Sequence, residues 1–248
     1  MIQPNTKTVA VVQARMSSTR LPGKVLADLG GETVLARVIR RLGRARLVDQ
    51  CVVATTVEPV DDAIVRECAR LKVACFRGSE NDVLDRYYQA ACLYPANAVV
   101  RITSDCPLID PNLVDDTIRV FQDERADYAS NVFPRTYPRG LDTEVFGVAA
   151  LDRAWKEASQ PYQREHVTPY FYENPQTFRL ASASGKVNYS GYRWTLDTPE
   201  DLELLRTIYS RLDGRDDFSW EEVIHLMERE PVLAELNSQV LQKSLREH

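Results

Sequence analysis

Four short runs rich in β-branched residues punctuate the first hundred positions: TVAVVQA (8–14), QCVVATT (50–56), KVACF (72–76) and NAVVRIT (97–103). Runs this short and this apolar fit strands buried on both faces, as in a parallel sheet. Between them apolar residues return with helical period: Val34, Leu35, Val38, Ile39 and Leu42, then Ala63, Ile64, Cys68 and Leu71, then Val83, Tyr87, Ala90 and Ala91. The alternation predicts βαβ units, hence an α/β fold with a mostly parallel sheet flanked by helices. In such open sheets ligands bind beyond the carboxyl ends of the strands, so the loops that follow strands are where chemistry is expected.

After about residue 126 the rhythm changes. DYASNVF (127–133) and DTEVFGV (142–148) predict strands, residues 134–139 a polar stretch, and 148–158 and 163–173 helices. From Pro199 onward the period is helical, with Ser219 a suitable N-cap for a helix over 221–229 and Pro231 opening the last one. A chain of 248 residues with this pattern predicts one domain over 1–248: a core at 8–126, an acceptor and oligomer region at 127–195, and a helical tail at 196–248.

Net charge is −5 and the basic residues are scattered, which argues against a nucleic-acid binder; any anionic ligand must be met locally. Arg37, Arg40, Arg41, Arg44 and Arg46 lie largely opposite the apolar face of their helix and predict a solvated basic face. The apolar stretch before Arg15 is too short for a secretory core or a membrane span, so a cytoplasmic protein is expected. Cys51, Cys68, Cys75, Cys92 and Cys106 form no CxxC pair and predict buried free thiols. Tyr128, Phe133, Tyr137, Tyr162, Tyr170, Phe171 and Tyr172 predict core and dimer contacts.

Three loops carry chemistry. QARMSSTRLPGK places Arg15, Arg20 and Lys24 among Ser17, Ser18, Thr19 and Gly23 directly after the first run. Arginine grips phosphate oxygens bidentately, lysine is a mobile point charge, and small residues let backbone amides approach an anion, so the loop suits a triphosphate. Neither GxxxxGK[ST] nor a strand-linked GxGxxG occurs, which weakens kinase-like and dinucleotide-binding readings. Asp105, in RITSDCPLIDP after the fourth run, is placed to hold magnesium, which takes one or two carboxylates plus substrate phosphates. Asp197, in YRWTLDTPEDL at the end of a short β-like run, is the second candidate ligand; alone it reads as helix-start chemistry.

Taken together, QARMSSTRLPGK, TSDCPL and WTLDTPEDL resemble the cytidylyltransferases related to CMP-sugar-acid synthetases, most nearly the spore coat polysaccharide biosynthesis protein F type. The likeness runs from about residue 8 to about 212 and takes in RGSENDVLDRY, YPRGLDTEVF and REHVTPY in the family's order. It implies a glycosyltransferase-A-like Rossmann fold with a small β-rich dimerisation and acceptor extension, a homodimer, and CTP lying across the carboxyl edge of the sheet. It implies catalytic roles for Arg15, Lys24, Asp105 and Asp197, with the two acids as magnesium ligands. Nucleotide contacts are implied at Ala14, Arg15, Arg20, Lys24, Ser79, Asp82, Arg86 and Ser104. Arg139, Asp142, Glu144, Arg164, Glu165 and His166 are the expected acceptor set, His166 being read chiefly as a structural histidine at a helix start.

The family usually carries a two-acid DGDxP-like segment where this chain has Ser104-Asp105-Cys106-Pro107, so the number of metal ions stays open. The implied reaction is CMP transfer from CTP to a sugar acid, another sugar derivative or a phosphonate, releasing pyrophosphate in surface polysaccharide or related biosynthesis. A nucleotide-sugar-dependent glycosyltransferase and a non-catalytic CTP-binding protein remain as alternatives.

Overall fold

A computed structural model describes residues 7–242. In chain order the elements are β1 (Thr8–Gln13), α1 (Val34–Leu42), β2 (Gln50–Thr56), α2 (Asp62–Leu71), β3 (Ala74–Gly78), α3 (Val83–Leu93), β4 (Ala98–Thr103), α4 (Pro111–Asp123), β5 (Tyr128–Ser130), β6 (Glu144–Gly147), α5 (Val148–Glu157), α6 (Pro161–His166), α7 (Pro169–Tyr172), β7 (Leu180–Ser182), α8 (Pro199–Arg211), α9 (Trp220–Arg229) and α10 (Val232–Glu235). The strands form one seven-stranded sheet in the order β3-β2-β1-β4-β6-β5-β7. The first four are mutually parallel, as expected, while β6 runs antiparallel to both β4 and β5. The β-rich half is therefore continuous with the main sheet.

Two-residue alternation along β1 divides the core. Val9 and Val11 join Leu84, Tyr87, Phe146 and Leu151 on one face, while Ala10 and Val12 join Leu35, Val38, Leu42, Ile64 and Val114 on the other. β1 is buried along almost its whole length because it has a parallel neighbour on each side and helices on both faces. Among the described residues no helix is long and apolar enough to cross a membrane.

Several expectations shift. The third strand begins at Ala74, two residues late, because Lys72 ends α2 in the left-handed conformation with φ 55°. The helix expected over 163–173 is two short helices, broken at Val167, whose φ is 70°. Residues 111–123, assigned no element from sequence, form α4, capped by the Asp110 carboxylate with Pro111 at its first position. β7 was likewise unassigned. The β-like run before Asp197 is no strand; its ladder contact is an isolated Arg139–Arg193 bridge. Cys92 is exposed, and Cys51 and Cys75 are half-buried, so only Cys68 and Cys106 match the expected buried thiols.

The solvated basic face on α1 is also corrected. Arg40, Arg44 and Arg46 are exposed, but Arg37 and Arg41 are buried, Arg41 fully. Helical period shows which residues lie opposite an apolar face; it cannot show that a second apolar layer covers them. Here α8 and α9 bring Leu205, Ile208, Tyr209 and Val223 into a third core cluster with Leu29 and Val34. Arg37 donates to the carbonyls of Leu29, Gly30 and Gly214 and to Asp216. Arg41 donates to the carbonyls of Ile109, Asp216 and Phe218, so the two guanidinium groups hold the 214–218 turn against α1.

Candidate active site

The order β2-β1-β4 fixes where the site forms. From β1 the chain passes through α1 to β2 on one side, and α3 later returns it to β4 on the other. The loops after β1 and β4 thus part at the reversal point of the sheet, leaving a crevice. Gln13 pairs with Thr103 in the ladder, so Arg15 and Asp105 leave the sheet side by side. Gly23, at φ 72° and donating its amide to the Met16 carbonyl, turns the first loop back and starts a one-turn 3-10 helix at Lys24–Leu26 that points Lys24 inward.

The Lys24 ammonium, in a residue only 8% exposed, donates to Asp105 Oδ2 (2.8 Å), Asp197 Oδ1 (2.9 Å) and the Leu196 carbonyl (2.7 Å). Burial opposes its charge, but Asp105 and Asp197 outweigh burial and raise its pKa above the ordinary lysine value. Burial likewise disfavours ionisation of Asp105 and Asp197, and Lys24 more than offsets it, holding both carboxyls below the usual range. At neutral pH the three groups are one cation between two anions.

Asp197 reaches this point through an irregular segment stitched to its neighbours. Trp194 donates its amide to the Arg139 carbonyl (2.6 Å), Arg139 to that of Tyr192 (3.0 Å), and Leu196 to that of Asp105 (2.8 Å). Gly140 permits the close approach: its φ is +109°, and a Cβ there would lie 2.6 Å from the Trp194 carbonyl carbon. Gly140→Ala is expected to cost about 2–3 kcal/mol in urea unfolding and to lower turnover with it, because backbone rather than a yielding side chain opposes the new methyl.

Around these residues lies a cleft of about 580 Å³. Ala14, Arg15, Arg20, Lys24, Arg86 and Ser104 of the expected nucleotide set line it, as do the expected metal acids Asp105 and Asp197 and, from the acceptor set, Arg139, Asp142, Glu165 and His166. Neither Arg15 nor Arg139 makes a side-chain ion pair among the described residues, so both cations face the cleft uncommitted, whereas Asp142 is engaged by a bidentate Arg135 at 2.6 and 2.7 Å. Arg86 is 2% exposed; its Nη1 meets the Ser79 carbonyl and its Nε has no partner. Burial lowers its pKa, the mark of a cation short of anionic company.

Four expected residues fall outside the lining. Glu144 is buried against Arg101 and the Tyr128 hydroxyl. Arg164 is spent on Asp82 (2.6 Å) and the Trp155 carbonyl (2.6 Å), and Asp82 also caps α3. Ser79 accepts the Asp82 amide. Glu144, Arg164 and Asp82 are committed to partners that only the tertiary structure supplies, and Ser79 to a local one. His166 ends α6 rather than starting a helix and lines the cleft.

Sequence reasoning missed Gln13, whose buried Oε1 has no partner although the residue lines the cleft, and Arg193, which donates to Asp197 Oδ2 at 2.6 Å. A polar residue closing an otherwise apolar strand is a usable signal for Gln13; Arg193 gives none in sequence.

The donor set fits a divalent cation of the magnesium kind. Two ionised carboxylates converge on one positively charged nitrogen, so the fold already brings hard oxygens together around positive charge. Among the described residues no cluster of three or more His, Cys, Asp or Glu is disposed for a metal, so such an ion would complete its shell with substrate oxygens and water.

A cytidylyltransferase family model matches residues 9–235. An uncharacterized protein of Methanocaldococcus jannaschii is 39% identical over 97% of this chain and 98% of its own length. The spore coat polysaccharide biosynthesis protein SpsF of Bacillus subtilis is 34% identical over 89% of this chain and 94% of its own. A solved cytidylyltransferase from Leptospira borgpetersenii superposes with a TM-score of 0.90 at 35% identity, covering 96% of this chain and all of that one. A solved CMP:2-keto-3-deoxy-manno-octonic acid synthetase complexed with CTP gives 0.66 at 20% identity over 83% of this chain and 99% of that one, a likeness of fold.

Proposed function

The chain belongs to the cytidylyltransferase family, and on that premise we propose that it transfers CMP from CTP to a sugar acid, with magnesium bound and pyrophosphate leaving. The observation that carries the reading is the convergence of Asp105, Asp197 and Lys24 at the carboxyl ends of β1 and β4, beside an uncommitted Arg15. A solved relative of this fold binds CTP and is named for a sugar acid, which supports both substrates.

In this reading Arg15, Arg20 and Lys24 bind the triphosphate. Lys24 leaves the carboxylates for the phosphates, exchanging one set of anionic partners for another. Asp105 and Asp197, freed of the ammonium, would hold magnesium, which neutralises charge on the phosphate oxygens when bound. Ala14, Ser104, Gln13 and Arg86 receive the nucleoside; Ser79 and Asp82 support that wall from behind. Arg139 meets the acceptor carboxylate, with Asp142, Glu165 and His166 around its hydroxyls.

The acceptor oxygen attacks the α-phosphorus, the bond to the bridging oxygen breaks, pyrophosphate departs, and the hydroxyl proton passes to water. Asp105 and Asp197 are carboxylates, whose ordinary pKa lies well below neutral and makes them poor proton acceptors there, so their part is electrostatic. The homodimer and the cytoplasmic setting expected of the family belong to the same proposal.

The test is pyrophosphate release with each of the four ribonucleoside triphosphates, magnesium, and a panel of sugar acids, sugar phosphates and phosphonates. Release confined to CTP with a sugar acid is the expected outcome; release with a sugar phosphate or phosphonate alone overturns the acceptor assignment.

A further inference from the structure

Lys24 does not by itself decide which oxygen of Asp197 faces the cleft. Arg193 binds Oδ2 through Nη2 (2.6 Å) and Arg20 adds a second contact there (2.8 Å), so Oδ1 is the oxygen turned to Lys24 and the cleft. A terminal carboxylate torsion is otherwise soft. Arg193 is itself held on every side. Its Nε and Nη2 donate to Asp201 (3.0 and 3.2 Å), and its Nη1 donates to Gln242 Oε1 (2.7 Å).

Asp201, fully buried, also accepts the backbone amide of Asp197 (2.9 Å) and the Asn237 amide (2.8 Å), and Asn237 grips the Arg193 carbonyl as well (2.9 Å). Asp201 therefore fixes Asp197 twice, by its backbone directly and by its side chain through Arg193. Asn237 and Gln242 lie beyond residue 235, where the family match ends.

We propose that Arg193 is a positioning residue for the reaction, locked by Asp201 and by the tail residues Asn237 and Gln242, so that the tail sets the orientation of Asp197. This rests on the reaction proposed above. The competing account is that Asp201 merely caps α8, whose capping box it forms with Thr198. That account predicts an effect on stability but none on metal affinity.

The double variant Arg193→Met/Asp201→Asn tests it, because no buried charge of that pair is left without its partner. Three quantities are measured: urea unfolding, pyrophosphate release, and Mn²⁺ half-saturation by electron paramagnetic resonance with CTP present and no acceptor. The expected result is a folded protein with Mn²⁺ half-saturation and kcat each worsened by about 10-fold, in the range known for groups that orient metal ligands, and a CTP KM changed much less. Asn237→Ala leaves both charges paired and is expected to give about 3-fold in the same direction; it decides the matter should the double variant not fold.

Unchanged Mn²⁺ half-saturation in a folded variant overturns the positioning role even if stability falls. A wild type that releases no pyrophosphate overturns the reaction instead, and the Mn²⁺ measurement, needing no acceptor, then judges Arg193 by itself.

Discussion

Asp105→Asn is expected to lower pyrophosphate release from CTP by about a thousandfold, equivalent to about 4 kcal/mol of transition-state stabilisation, with the fold kept. Asparagine preserves volume and removes only the charge. Lys24 keeps Asp197 and the Leu196 carbonyl as partners, so the folding penalty should stay near 1–2 kcal/mol, too little for a chain of this size to unfold. The loss should therefore appear in single-turnover release at saturating CTP, while the urea midpoint moves little. Because Asp105 is ionised well below neutral pH, the deficit should be flat across pH 6–8 and not recover in weak acid. Retention of most activity would remove Asp105 from the proposed metal-binding pair.

The largest effect on stability is expected at Arg41→Met, about 4 kcal/mol, read as a fall in Tm of about 10 °C by calorimetry. Arg41 is fully buried, its guanidinium 4.0 Å from the centre of the Phe218 ring and bonded to three backbone carbonyls at 2.8–3.1 Å. Burial lowers its pKa, so its charge is already unfavourable there and is tolerated because the carbonyls satisfy it. Methionine fills much of the space but leaves those carbonyls buried without donors, each worth about 1–3 kcal/mol. Arg44→Met, at an exposed position just past the C-terminal end of the same helix, should change stability by less than about 0.5 kcal/mol. Equal small losses at both positions would mean that the tail is not clamped through α1.

The contrast between Arg41 and Arg44 shows where sequence reading stops. Both belong to the basic stretch that helical period places opposite an apolar face, and period alone treats them alike, although the helix ends at Leu42. What separates them is α8 and α9, more than 150 positions later, packing over one edge of that side. The same limit applies to Arg164 and Glu144. Each sits in a motif of the right chemistry, yet Asp82 neutralises the first and Arg101 with Tyr128 buries the second.

What the sequence by itself determined is local and periodic. β-branched runs and helical spacing set β1, β2, β4, α1, α2 and α3 almost to the residue, because burial on two faces or on one stripe leaves its period in the chain. The charge and small-residue content of the loop after β1 likewise marked it as a candidate anion site. Only the tertiary structure decided that Lys24 lies between Asp105 and Asp197, residues separated from it by 81 and 173 positions. That depends on β4 returning beside β1 and on the close approach of Trp194 to Gly140, both set by the packing of distant segments, which leaves no period in any one of them.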